Sequence, residues 1–307
     1  MFDRRTALRG AGILGAALTL PACQGRPDVE LRLAAGESGG FFWEFSGLLA
    51  AAAQRAGTDR IIPVQSGGSA DNLEALHAGR AELALSLIDT VYESPYRSEV
   101  TAIGCVYENY FQVAVRTDSA VASLGDLQGR TVSTGASGSG ASALSQRVLS
   151  AAGLSAPGAV QAVALSMQDA AGGLADGTVD AAMWAGGLPT PAFGDSGTAI
   201  RLLDLSDVVG VLRQRFGTAY EAVPVPAGVY GDHDAVTTVG VANVLLARRD
   251  VPDGAAAGVV DLLLDDSTEL VPAQAVGSQF LDVQSLILTG DIALHPGAVA
   301  EYRRRHG

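Results

Sequence analysis

The chain has 307 residues, 48% of them hydrophobic, with a net charge of −13, and all 20 of its basic residues are arginine. The absence of lysine excludes a Walker phosphate loop, a Schiff-base cofactor site and a kinase-type catalytic lysine. An acidic chain without basic runs is also a poor nucleic-acid binder. The length suffices for a buried core and about two domains, and no apolar run reaches the roughly 18 residues that a spanning helix needs.

The first 22 residues are an address. Arg4-Arg5 followed by Thr6-Ala7-Leu8 resembles a twin-arginine export signal, and an apolar run extends from Ala11 to Leu20. Leu20-Pro21-Ala22-Cys23 resembles a lipobox, so Cys23 is expected to carry a lipid after cleavage, with 23–28 as a linker. The alternative is an ordinary cleaved secretory signal whose cysteine is incidental. Cys105 would then be the one remaining thiol, leaving no partner for an intramolecular disulfide; its apolar setting, Ala102 to Val106, reads as a strand with a buried structural cysteine.

From Glu30 the pattern alternates between strand and helix. Leu31 to Ala34 reads as a strand, followed by the turn Gly36-Glu37-Ser38-Gly39-Gly40 and a helix from Phe41 to Ala56 that Gly57 stops. Ile61 to Val64 is a second strand, with Pro63 marking an edge or a strand end. Ser69 caps a short helix ended by Gly79, and Leu83 to Leu87 is a third strand. Phe111 to Arg116 and Arg130 to Ser133 are strands; Gly135 to Gly140, GASGSG, then opens a helix from Ala141 to Ala152. Val160 to Leu165 is a strand, and Ser166 with Asp169 starts a helix that Gly172 and Gly173 weaken. Val179 to Trp184 is a strand, Val236 to Leu246 a long returning one, and helices lie near Gly254–Leu264, Ser278–Leu288 and Pro296–Arg305. Such repeats predict an α/β fold with mostly parallel sheets flanked by helices. The first unit is built from both ends of the chain, with the second inserted between them.

Three glycine-serine turns, at Gly36–Gly40, Ser66–Asn72 and Gly135–Gly140, fall at strand-to-helix junctions. Free N–H groups at a helix start hold anions, and ligands of open α/β sheets bind beyond the carboxyl ends of the strands. These turns are therefore the candidate site. GASGSG is not a nucleophile elbow, because Ser139 stands where the second glycine of that motif belongs. The four histidines, His77, His233, His295 and His306, have no zinc-site spacing.

The order of these motifs, from AAGESGGFFWEFSG through SGGSADNLEALHAGRAELALSLIDT, STGASGSGASA and LADGTVDAAMWAGGLP to LHPGAVAEYRRR, resembles the TAXI family of solute receptors. These receptors serve tripartite ATP-independent periplasmic (TRAP) transporters, and the likeness covers nearly everything after residue 28. It implies a two-lobed, type II-like venus-flytrap fold, with lobe I formed by 29–113 and 235–307 and lobe II by 114–234. It implies a non-enzymatic, cofactor-free, monomeric receptor on the outer side of the cytoplasmic membrane. The receptor would be lipid-anchored and would deliver a small anionic or zwitterionic ligand, a carboxylate or amino acid resembling glutamate or 2-oxoglutarate, to a TRAP permease. A sensory module, the binding protein of an ATP-driven importer and a serine hydrolase using Ser137 or Ser139 are the alternatives.

The same resemblance assigns Gly39, Gly40 and Phe41 to the first turn and Ser69, Asn72, Asp89 and Thr90 to the next two. Ser137, Gly138 and Ser139 would face them from the inserted lobe, with Trp184 and Gly187 alongside. Phe41 replaces the tyrosine often found there. Trp184 reads equally as a wall stacking on ligand or as core, and Asp89 equally as an acceptor for a ligand ammonium or as a helix cap. Tyr107 and Tyr230 are either hydroxyl donors or structural. If the serines act as ligand donors, Ser137→Ala with Ser69→Ala weakens binding and leaves the melting temperature of the empty protein nearly unchanged.

Overall fold

The computed structural model describes residues 29–272 and 281–306; the export signal, Cys23, the 23–28 linker and part of the Ser278–Leu288 helix expectation lie outside them. The first half of the fold comprises β1 (Glu30–Ala34), α1 (Phe41–Ala56), β2 (Arg60–Val64), α2 (Ser69–His77), β3 (Leu83–Leu87) and α3 (Ile88–Glu93). The periodicity of α1 puts Phe41, Phe45, Leu49 and Ala53 on its buried face; Gly57, at φ 62°, supplies the left-handed residue that ends it. Pro63 is tolerated because β2 is the edge of the sheet, where a missing donor breaks no ladder.

A 17-residue strand, β4 (Val100–Arg116), leads out of this half. The second half holds β5 (Thr131–Ser133), α4 (Gly140–Ala151), β6 (Gln161–Val163), α5 (Met167–Asp176), β7 (Ala181–Gly186), α6 (Pro191–Gly194), β8 (Ile200–Leu202), α7 (Ser206–Phe216) and β9 (Tyr220–Val225). The chain returns along β10 (Val236–Arg248) and finishes with α8 (Asp253–Asp265), α9 (Val283–Leu286) and α10 (Pro296–His306). Of the helix read over Ser278–Leu288, the described part is helical only as the four residues of α9.

The sheet order is β2-β1-β3-β10-β4-β7-β5-β6, with β8 on β4 and β9 on β10. The ladders β1–β2, β1–β3, β5–β6 and β5–β7 are parallel, as alternating strands and helices dictate. Those that involve β4 and β10 are antiparallel, because the two long strands run against each other through both halves. The segments Ala102–Val106 and Phe111–Arg116, expected as separate strands, are thus one strand. The polar stretch Glu108–Tyr110 that divides them in sequence is its midpoint, where β10 supplies partners to both sides.

One apolar core runs beneath both halves, from Leu73 and Leu87 through Phe111 and Val241 to Leu144 and Leu212. A second lies between the sheet, α1, α8 and α10, and a third packs Trp184, Phe193 and Leu174 in the second half. Cys105 is buried, and burial pushes its thiol up to about 12, which fits the structural reading.

Candidate ligand-binding site

The turns before α1, α2 and α4 meet where the two halves face each other. Each needs glycine for a local reason. Gly68 has φ 122°, and a Cβ there would stand 3.1 Å from the Cα of Ser139 across the gap. Gly140 lies so close to the first half that a Cβ would come within 2.5 Å of Leu87 Cδ1 and 2.6 Å of Ser69 Oγ. The Ala70 N–H donates to the carbonyl of Gly138 at 3.1 Å, and Gly138 rests on the Asp71 carboxylate. The glycine-serine turns of the two halves are therefore in direct contact.

Beside them is a cavity of about 60 Å3, room for on the order of five waters or a compact organic molecule. Its wall combines Gly40 and Phe41, Gly68 and Ser69, Ser139 to Ala141, and Ser166 and Met167, the starts of α1, α2, α4 and α5. By position, the first N–H groups of a helix have no intrahelical acceptor, and they carry the positive end of the helix dipole. Four such ends converge on one small space, with the Ala70, Ser142 and Asp169 amides among them already taken by Gly138, Ser139 and Ser166. Phe41, Leu165, Met167 and Trp184 form its apolar side.

Two polar side chains face this wall as well. Asn109, midway along β4 and 5% exposed, has an amide oxygen with no partner among the described residues. Glu37 lies over Gly40, with its Cγ 3.7 Å from where a Cβ would stand, and its carboxylate accepts the Met167 N–H from the other half. Burial raises its carboxyl above the ordinary range, partly offset by that hydrogen bond. Among the described residues no arginine or histidine lines the cavity.

Of the residues expected at the site, Gly40, Phe41, Ser69, Ser139 and Trp184 line the cavity. Phe41 is held by Tyr107, ring centroids 3.7 Å apart; the Tyr107 hydroxyl is buried and has no partner among the described residues. Trp184 packs as core and also reaches the cavity wall. It is 1% exposed, stacked on Phe193 with its indole N–H on Thr190 Oγ1 at 2.9 Å, and its remaining surface lines the cavity. Tyr230 is structural: it donates to Gln112 at 2.6 Å and accepts from the Thr190 N–H at 2.8 Å.

The other expected residues stand outside the cavity wall. Gly39 is exposed, and Gly138 is spent on the contact between turns. Asn72 is turned inward, donating to the Leu85 carbonyl at 2.7 Å, and Gly187 accepts from Gln112 and Thr190. Asp89 is neither ligand acceptor nor cap. It is 2% exposed and paired with Arg147 of α4, which also binds Glu93 and the Tyr220 hydroxyl, so this carboxylate is consumed in a contact between the halves. Thr90 donates to Asp89.

Ser69 is not the cap expected of it; Gly68 occupies that position, and the Ser69 hydroxyl accepts the buried Leu87 N–H at 3.1 Å. Ser137 is exposed. The paired-serine expectation therefore splits. Ser69→Ala strands a buried donor and should cost about 1–3 kcal/mol in a urea titration. Ser137→Ala should stay within about 0.5 kcal/mol of the parent. Equal effects would contradict these assignments.

Asn109, Glu37 and the start of α5 were missed as site residues. Ser166 and Asp169 do announce a helix start, and the Ser166 hydroxyl caps Asp169 N–H at 3.1 Å. No local pattern places that start opposite α1.

A curled mixed sheet in two halves, joined by long strands and closed over a cavity of helix starts, is the periplasmic-binding-protein fold. Among solved structures it is similar to a protein of Bordetella bronchiseptica RB50 (TM-score 0.56, 13% identity, 91% of this chain and 99% of the other covered). It is also similar to a Xanthomonas citri protein bound to chloride ion (TM-score 0.52, 14% identity, 91% and 99%) and to the periplasmic aliphatic sulphonate binding protein SsuA of Escherichia coli (0.47, 17%, 78% and 71%). The chain belongs to the NMT1-like family, whose profile matches residues 33–304. Among the described residues no helix is long and apolar enough to cross a membrane, and no cluster of three or more metal-ligating side chains occurs.

Proposed function

We propose that this protein is an extracytoplasmic solute receptor that captures a small carboxylate or amino acid between two lobes and passes it to a TRAP-type membrane permease. The observation that carries this reading is the convergence of four helix starts on one cavity, into which Asn109 brings a buried side-chain oxygen that has no partner among the described residues. Lobe I comprises 29–113 and 235–307, lobe II 114–234, with the division falling near the end of β4 and just before β10. A ligand touching both lobes gains donors from the second only on closure, so it biases the hinge toward the closed state. The receptor acts without chemistry on its ligand, and Cys23 anchors it to the outer face of the cytoplasmic membrane.

Mass spectrometry of the molecule released from denatured, purified protein tests the reading. A small anion or zwitterion is expected, and a sugar or bulky apolar compound would contradict it. Uptake by vesicles carrying the permease should follow an ion gradient and persist without ATP.

A further inference from the structure

We infer that Glu37 determines specificity in this cleft by receiving a ligand amine, so that the receptor takes an amino acid in preference to the matching keto acid. The inference rests on the receptor reading above and narrows its ligand class. Helix starts favour a carboxylate, yet among the described residues the one ionisable side chain in the cavity wall is itself a carboxylate. Two like charges in a space this small repel, and low local polarity strengthens the repulsion. An ammonium group on the ligand removes the conflict: its carboxylate meets the amides of α1, α2 and α4 while its nitrogen meets Glu37.

The position of Glu37 suits that role. The side chain is held over Gly40 on one half, and its hydrogen bond from Met167 ties it to the other, so it forms only part of its polar contacts within the protein. Asn109 supplies the independent sign that a polar ligand belongs here, since its buried side-chain oxygen has no protein partner among the described residues. The other acidic residues near these turns lie outside the wall: Asp71 accepts the Gly67 N–H, Asp89 is paired with Arg147, and Asp169 shares a hydrogen bond with the Ser166 hydroxyl.

Calorimetric titration of the full-length receptor with L-alanine and pyruvate, L-leucine and 4-methyl-2-oxopentanoate, and L-glutamate and 2-oxoglutarate tests the inference. At least one amino acid should bind about tenfold or more tighter than its keto acid. Glu37→Gln should abolish that preference by weakening the amino acid and sparing the keto acid. Glu37→Asp should keep its sign at reduced affinity. A keto acid bound as tightly as its amino acid, or a preference that survives Glu37→Gln, would overturn the role of Glu37 and leave the receptor reading standing. Binding of none of the six compounds would overturn the carboxylate-receptor reading itself.

Discussion

Arg147→Met is expected to lower the unfolding free energy by about 3–5 kcal/mol, the usual cost of removing one partner of a buried ion pair. Arg147 is 6% exposed on α4, and its guanidinium meets Asp89 and Glu93 of α3 from across the fold, with the Tyr220 hydroxyl 3.0 Å away. Burial raises the Asp89 carboxyl, while the arginine and the hydroxyls of Tyr220 and Thr90 pull it back. Without Arg147 the carboxylate must either stay charged in an apolar setting or take up a proton at neutral pH. The pair buries about as much penalty as attraction, so Arg147→Met combined with Asp89→Leu should recover most of the loss. A denaturant series on both single variants and the double variant reads this directly. Additive losses in the double variant would show that the two groups do not act as a pair.

The second large effect is on binding. Gly140→Val places two methyl groups where even a Cβ meets Leu87 and Ser69 of the opposite half. Gly140 is the first residue of α4 and has no positive φ, so the backbone accepts the change whenever the halves are apart. The overpacking cost of about 1–3 kcal/mol then falls on the closed state alone and weakens ligand binding about 5- to 150-fold. The melting temperature of the empty protein should move by only a degree or two. Solution scattering should show the variant failing to compact with ligand. A variant that closes and binds like the parent would mean the halves meet in some other way.

These two results depend on contacts of different legibility. The bounds of α1, the Gly57 stop and the three glycine-serine turns follow from short-range chemistry, and each stands in the fold where its residues put it. The Arg147–Asp89 pair joins positions 58 residues apart, and Asp89 two residues past a strand looks locally like any helix-start acid. Its partner is chosen by how α4 docks on α3, which no spacing rule encodes. The continuity of β4 was hidden for a related reason. Glu108 and Asn109 break an apolar pattern, and only the pairing with β10 makes the middle of that strand regular. The segment from Pro191 to Val225 carries weak signals. Its short β8 forms where the end of β4 offers it an edge, whereas α6 starts on Thr190 with Pro191 in its first turn.

The cavity wall shows the same division. Gly40, Phe41, Ser69 and Ser139 were legible because helix starts have a sequence signature. Glu37 and Asn109 have none: one is an acid in a turn, the other a polar residue in a strand. They become site residues only in the fold, which sets both on one wall with the start of α5.

The central claim is that one small ligand is held by amides from both halves at once. A crystal structure of the receptor with its own ligand tests it most directly. The ligand should lie in the cavity beside Asn109, with its carboxylate at the starts of α1 or α2 and of α4. A ligand touching one half only, or lodged away from these helix starts, would contradict the account.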